Sequence, residues 1–117
     1  MDFHVDELAE IFSIFSNAKR IQIFWSLDGT EKSVNAIAQA IDSSMQNTSQ
    51  HLRLMKSRNI LESRRNGQSI YYRIADGDVA NFCRFLLPQS YKEAFAASAN
   101  KVNGEDLPEE EDHRAIA

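Results

Sequence analysis

The stretch "NTSQHLRLMKSRNILESRRNGQSIYYRI", residues 47–74, changes its periodicity once, and that change decides the fold. Across its first part Thr48, Leu52 and Met55 fall at i, i+4 and i+7, an apolar stripe at helical spacing. Asn59 is expected to end this helix, because Asn tolerates the positive φ of a helix stop. "ILESRR" and "QSIYYRI" then read as strands joined at Asn66-Gly67, the strongest short-range hairpin signal. In the second strand Ile70, Tyr72 and Ile74 share one face, and Ser69, Tyr71 and Arg73 the other. The polar side of the helix is unusual. Gln46, Asn47, Ser49, Gln50, Arg53 and Lys56 lie there without a carboxylate, whereas a solvated face normally mixes both signs.

Upstream, residues 5–16 set Leu8, Ile11, Phe12 and Phe15 at helical spacing, with Ile14 widening the stripe. Asn17 suits the N-cap of a second helix, "AKRIQIFWSLD", expected to bury Ile21, Phe24 and Trp25 and to stop at Gly29. Ser33 suits the cap of a third, whose Val34, Ile37, Ala38 and Ile41 form its apolar stripe. Only "DSSM", residues 42–45, separates it from the fourth, with Ser43 or Ser44 as the cap. So short a connection makes a helix-turn-helix. Downstream, Val79, Phe82, Cys83 and Leu86 mark a last amphipathic helix, which Pro88 either kinks or separates from a new segment carrying Tyr91 and Phe95. Residues 1–100 are thus expected to form one DNA-binding and dimerisation domain. Residues 101–117, with six acids and few apolar side chains, are expected to be an acidic mobile tail.

A chain of 117 residues has room for one core. Its mean hydropathy of −0.43 and the lack of any apolar run near the ~20 residues that span a bilayer argue against a membrane protein. The opening "MDFHVDELAE" lacks the basic-then-apolar pattern of a signal peptide, and the single Cys83 cannot form an intrachain disulfide, so a cytoplasmic location is expected. The net charge of −4 hides an asymmetry. Residues 44–75 carry Arg53, Lys56, Arg58, Arg64, Arg65 and Arg73 against Glu62 alone, a local +5, which leaves −9 for the remainder. A basic segment in an acidic chain directs one surface at a polyanion.

The expected fold is therefore mainly α with a small β-hairpin: a winged helix-turn-helix of four helices, the hairpin and a last helix. A helix that enters the major groove of double-stranded DNA needs amides, hydroxyls and cations matched to base edges, and carboxylates there would repel phosphates. Gln46, Asn47, Ser49 and Gln50 lie in the first turns, the part that reaches bases, with Arg53 and Lys56 available to bases or backbone. On the wing, Arg64, Arg65 and Gln68 flank the turn and suit phosphate or minor-groove contacts. One such set binds weakly, and a homodimer reading an inverted repeat overcomes that. The first and last helices, through Leu8, Ile11, Phe12, Phe15, Val79, Phe82, Cys83 and Leu86, are expected to form its interface.

"SNAKRIQIF", the Ser49-x-His51-Leu52 core and "RRNGQSIYYRI" resemble the second-helix signature, recognition helix and wing of the ArsR/SmtB family of bacterial winged-helix repressors, over residues 8–87. The resemblance implies a homodimeric repressor released from its promoter by an effector. Many members sense metals, yet the third helix, "SVNAIAQAI", lacks that family's Cys-x-Cys pair. Around the last helix Asp76 and Asp78 are accompanied by Gln89 and Lys92 where further ligands would stand. Neither a metal nor any other cofactor is expected, and the effector stays unidentified. His51 is expected to help fix its helix, and Cys83 to be a packed thiol, with a redox-sensing role as the alternative. Arg20 suits either a phosphate or a partner within the fold, and Trp25, Tyr71 and Tyr72 suit packing. Without a phosphate loop, a nucleophile–base pair or converging carboxylates, no enzyme is indicated. The competing reading is a winged helix used for protein interaction.

Overall fold

In a computed structural model that describes residues 3–94, polar side chains cap the second, third and fourth helices at positions the sequence offers. Helix α1 spans Val5–Ile14, with the His4 N–H donating to Glu7 Oε1 at 3.1 Å. Helix α2, Ala18–Ser26, starts at Asn17, whose Oδ1 accepts from the backbone N–H groups of Lys19 and Arg20. Helix α3, Val34–Ala40, is capped by Ser33, and α4, Met45–Ser57, by Ser44 rather than Ser43. Each such cap satisfies an otherwise orphaned donor and contributes about 1 kcal/mol.

Both helices of the helix-turn-helix end in the same way. Asp42 and Asn59 adopt φ of 54° and 64°. After each, paired backbone bonds close the terminus: Ser43 N–H to Ala38 O and Asp42 N–H to Gln39 O, then Ile60 N–H to Met55 O and Asn59 N–H to Lys56 O. This is the Schellman arrangement, and it turns the chain sharply without stranding carbonyls. Asn59 is thereby explained as the sequence suggests. Asp42 carries no comparable signal.

The sheet departs from expectation in having a third strand. Strands β2 (Leu61–Asn66) and β3 (Ser69–Ile74) form the hairpin, and the two-residue β1 (Lys32–Ser33) pairs with β3, giving the antiparallel order β1-β3-β2. The turn also shifts by one residue. Asn66 pairs with Ser69, so Gly67 and Gln68 form the loop, with positive φ at Gly67 alone. Glycine at the first central position is the type II′ choice.

Helix α5 covers Asp78–Leu86 and stops before Pro88; the segment from Pro88 onward is a second unit, helical over residues 89–94. Phe95 and the acidic stretch 101–117 lie outside the described residues. Among the described residues no helix is long and apolar enough to cross a membrane.

The core is drawn from every helix of the first unit. Ile23, Ile37, Leu52, Met55, Ile60, Ala80 and Cys83 are completely buried, joined by Ile11, Ile14, Phe24, Leu27, Ile41, Leu61 and Ile74. Burying one large aliphatic side chain stabilises by roughly 1.5–3 kcal/mol. On α2 the buried stripe runs through Ile23, Phe24 and Leu27, leaving Ile21 half-buried, and the Trp25 indole N–H donates to Leu87 O at 3.1 Å.

Candidate nucleic-acid interface

Helix α4 presents two contrasting stripes. Thr48, Leu52 and Met55 are buried against the core, and the Thr48 hydroxyl has no hydrogen-bond partner among the described residues. Opposite them Gln46, Asn47, Gln50, Arg53 and Lys56 are exposed, and Ser49 is half-buried. A cleft of about 370 Å³ runs between the start of α4 and the hairpin, lined among others by Met45, Ser49, Gln68 and Ile70. A second, of about 490 Å³, lies between the end of α4 and the hairpin, lined by Arg53, Lys56, Ser57, Ser63, Ile70 and Tyr72. Ile70 borders both. Ser49 of α4 thus lines the first cleft and Arg53 and Lys56 the second, each shared with the hairpin.

The six cations of the basic segment divide sharply. Arg58 pairs with Glu10 of α1 at 2.5 Å. Arg73 is held by Glu62 and Asp76. The Arg64 Nε and Nη2 groups donate to the two Glu31 oxygens at 2.8 and 2.6 Å, and its guanidinium lies 5.0 Å over the Tyr71 ring. This fork holds the Glu31 carboxyl below its ordinary range, chiefly through the hydrogen bonds from Arg64. Lys56 Nζ donates to Ser63 Oγ at 2.8 Å, tying α4 to the hairpin while staying exposed. Arg53 and Arg65 are exposed and have no ion pair or side-chain hydrogen bond among the described residues. Arg64 and Arg65, grouped together on the wing from the sequence, thus have different surroundings. Alternation along β2 puts them on opposite faces, and only Arg65 lies on the side of Ser63, Ile70 and Tyr72 that borders the second cleft.

A family model described as a helix-turn-helix domain matches residues 15–64. The chain is similar to the HTH-type transcriptional regulator KmtR of Mycobacterium tuberculosis, 33% identical over 67% of this chain and 60% of KmtR. It is also similar to a transcriptional repressor SmtB homolog of Synechocystis, 32% identical over 67% of this chain and 59% of that protein. Among solved structures it is similar to a possible transcriptional regulatory protein (fragment 1–100) of Mycobacterium bovis. The two are 36% identical, with a TM-score of 0.62 over 76% of this chain and 94% of that one. A solution structure from the same organism, 28% identical with a TM-score of 0.61 over 90% of each chain, is described as a homodimeric winged helix-turn-helix DNA-binding domain of a possible ArsR-family regulator. The chain belongs to the ArsR/SmtB family. It spans about three fifths of the length of the two curated relatives.

The two helical motifs that carry the ArsR/SmtB resemblance meet in space. Arg20, from the second-helix signature, donates through Nε to His51 Nδ1 at 3.1 Å and through Nη1 to Ile14 O at 3.3 Å. Arg20 is therefore a partner within the fold. Because Nδ1 accepts this bond, the neutral ring carries its proton on Nε2. Burial, and then the Arg20 charge, lower the His51 pKa and keep the ring neutral. Asn17 caps the helix that presents Arg20, so the signature serves to brace α4 from behind.

Of the outer-helix residues expected to face a partner, two are spent inside the protomer. Ile11 is 3% exposed and Cys83 fully buried, so neither has surface to offer. Phe15 stacks edge-on against Phe24, and Phe82 against Phe3. Leu8, Val79, Phe82 and Leu86 are half-buried, and Phe12 is exposed. Val5 and Phe85 are both 79% exposed, Phe85 being one of the aromatic residues that the sequence concentrates in the outer helices. Val5, Leu8 and Phe12 fall at i, i+3 and i+7, a signal present in the sequence but masked by the stronger Ile11–Ile14 stripe. Burial pushes the Cys83 thiol up to about 12, which suits a packed side chain and disfavours the reactive thiolate that a redox sensor needs. Asp76 is engaged by Arg73, and among the described residues no three His, Cys, Asp or Glu side chains gather as a metal site requires.

Proposed function

We propose that this protein is a sequence-specific DNA-binding transcriptional regulator, acting as a homodimeric repressor on an inverted-repeat operator. The observation that carries the reading is the exposed stripe of α4, Gln46, Asn47, Gln50 and Arg53, free of carboxylates, with Arg53 lining a cleft toward the hairpin face that also carries Arg65. Seated in the major groove, that stripe offers amides to base edges while Arg53 and Arg65 meet phosphates. Gln68, in the hairpin loop, reaches the backbone or the minor groove. The exposed Val5, Phe12 and Phe85, together with half-buried Leu8, Val79 and Leu86, support pairing of two copies through α1 and α5. Symmetric pairing would place two α4 helices about one DNA turn, roughly 34 Å, apart. The effector that releases the operator is not a metal at the sites the family commonly uses.

The test is binding to mixed genomic fragments at two salt concentrations, with enrichment of bound sequences. The expected result is tight binding at low salt that falls steeply with salt, and an enriched sequence with two-fold symmetry. Salt-independent or undetectable binding, or a monomer by sedimentation at micromolar concentration, would count against the proposal.

A further inference from the structure

The Arg64–Glu31 fork has the geometry with which arginine holds a phosphate: two parallel N–H donors on two anionic oxygens. Glu31 lies immediately before β1. Because β1 and β2 flank β3, and both Ser33 and Arg64 are opposite Tyr71, the arginine must reach across the sheet over that ring. Both partners remain open to water, their side chains 54% and 30% exposed. Carboxylate and phosphate address the same fork. Although an exposed pair of this kind is weak, Glu31 is already in place and lowers several-fold the share of Arg64 open to a phosphate oxygen. Arg65, the next residue, meets no such competitor among the described residues.

We propose that Glu31 is a positioning residue that withholds Arg64 from DNA phosphate and so limits affinity for all sequences alike. This rests on the DNA-binding reading above. Glu31 occupies the guanidinium as an internal substitute for phosphate, and it adds a like charge that a nearby strand must tolerate. Its effect is blind to sequence, because a phosphate contact carries no base information. Among the described residues the intact wing thus offers Arg65 without an ion pair and Arg64 paired, and losing Glu31 leaves both without one.

The experiment compares the full chain with Glu31→Gln, Arg64→Ala, the double variant and Arg64→Lys on a random-sequence duplex over a salt series. Glu31→Gln is expected to tighten binding several-fold. It should also steepen the dependence of log K on log salt by about 0.9 per protomer, the signature of one more neutralised phosphate. Arg64→Ala should stay near wild type, and Glu31→Gln should add nothing to the slope in that background. Arg64→Lys, which keeps the charge but loses the fork, should shift in the direction of Glu31→Gln. The proposal is overturned if Glu31→Gln tightens binding equally with and without Arg64, since the general field of the protein would then explain it. It is also overturned if Glu31→Gln weakens binding, which would make the pair a brace for the wing. A wild-type chain that does not bind duplex at low salt would sink the DNA-binding reading itself. Binding with an unchanged slope in Glu31→Gln would sink only this inference.

Discussion

Arg64 and Arg65 are adjacent in the chain and chemically identical, yet the two faces of the hairpin treat them oppositely. The outer face is a closed electrostatic account: Arg64 with Glu31 and Tyr71, Arg73 with Glu62 and Asp76. The inner face, toward α4, holds Arg65 opposite Ile70 and without an ion pair among the described residues. One face has settled its charge within the protomer, and the other keeps it available. Cation counts therefore overstate a DNA-binding surface wherever acids from elsewhere in the chain can reach it.

The largest effect should come from removing the two arginines that have no ion pair or side-chain hydrogen bond among the described residues. Arg53→Ala with Arg65→Ala is expected to weaken binding to every duplex and to lower the salt slope by about 1.8 per protomer, whereas Arg64→Ala alone leaves the slope nearly unchanged. Equal slopes for Arg64→Ala and Arg65→Ala, measured by fluorescence anisotropy, would erase the distinction between the faces. Next comes Gln50→Ala, which should cost about 1–3 kcal/mol of discrimination at one base position and little on random DNA. Uniform losses across a set of singly substituted operators would remove Gln50 from the readers of sequence.

A smaller effect concerns the brace behind α4. The His51 pKa is lowered in the folded state, so the unfolded chain binds more protons in the window below about 6.5. Stability contributed by the neutral ring is complete above that value and declines as pH falls toward the folded-state pKa. Thermal unfolding from pH 7.5 to 5.5 should show this decline, and His51→Gln should flatten it. An equally steep profile in the variant would place the titration elsewhere. The smallest effect is expected at Cys83, which belongs to neither face. With its thiol raised to about 12 and buried, iodoacetamide at pH 8 should not label the native protein, and mild peroxide should leave DNA affinity unchanged. Rapid native labelling would reopen the redox role.

Much of the architecture was legible because it rests on local rules. Asn17 and Ser33 as caps, Asn59 as a left-handed stop and the 3.6- and 2-residue periods each depend on a few neighbouring residues. The carboxylate-free stripe of α4 was legible for the same reason. The short β1 was not, since two residues have no periodicity and Lys32–Ser33 becomes a strand only by pairing with Tyr72 and Tyr71. The one-residue shift of the turn followed from register, which places Asn66 opposite Ser69.

Sequence by itself determined which segments are helix and which are hairpin, and which side of α4 lacks negative charge, because hydrophobic period and capping act within a turn or two of chain. Only the tertiary structure decided the fate of each cation. Glu31 and Arg64 are 33 residues apart, and Arg20 and His51 are 31 apart. Over such separations a charge finds its partner only after the core has closed. Tertiary packing, rather than the local run of residues, left Arg53 and Arg65 without an ion pair among the described residues.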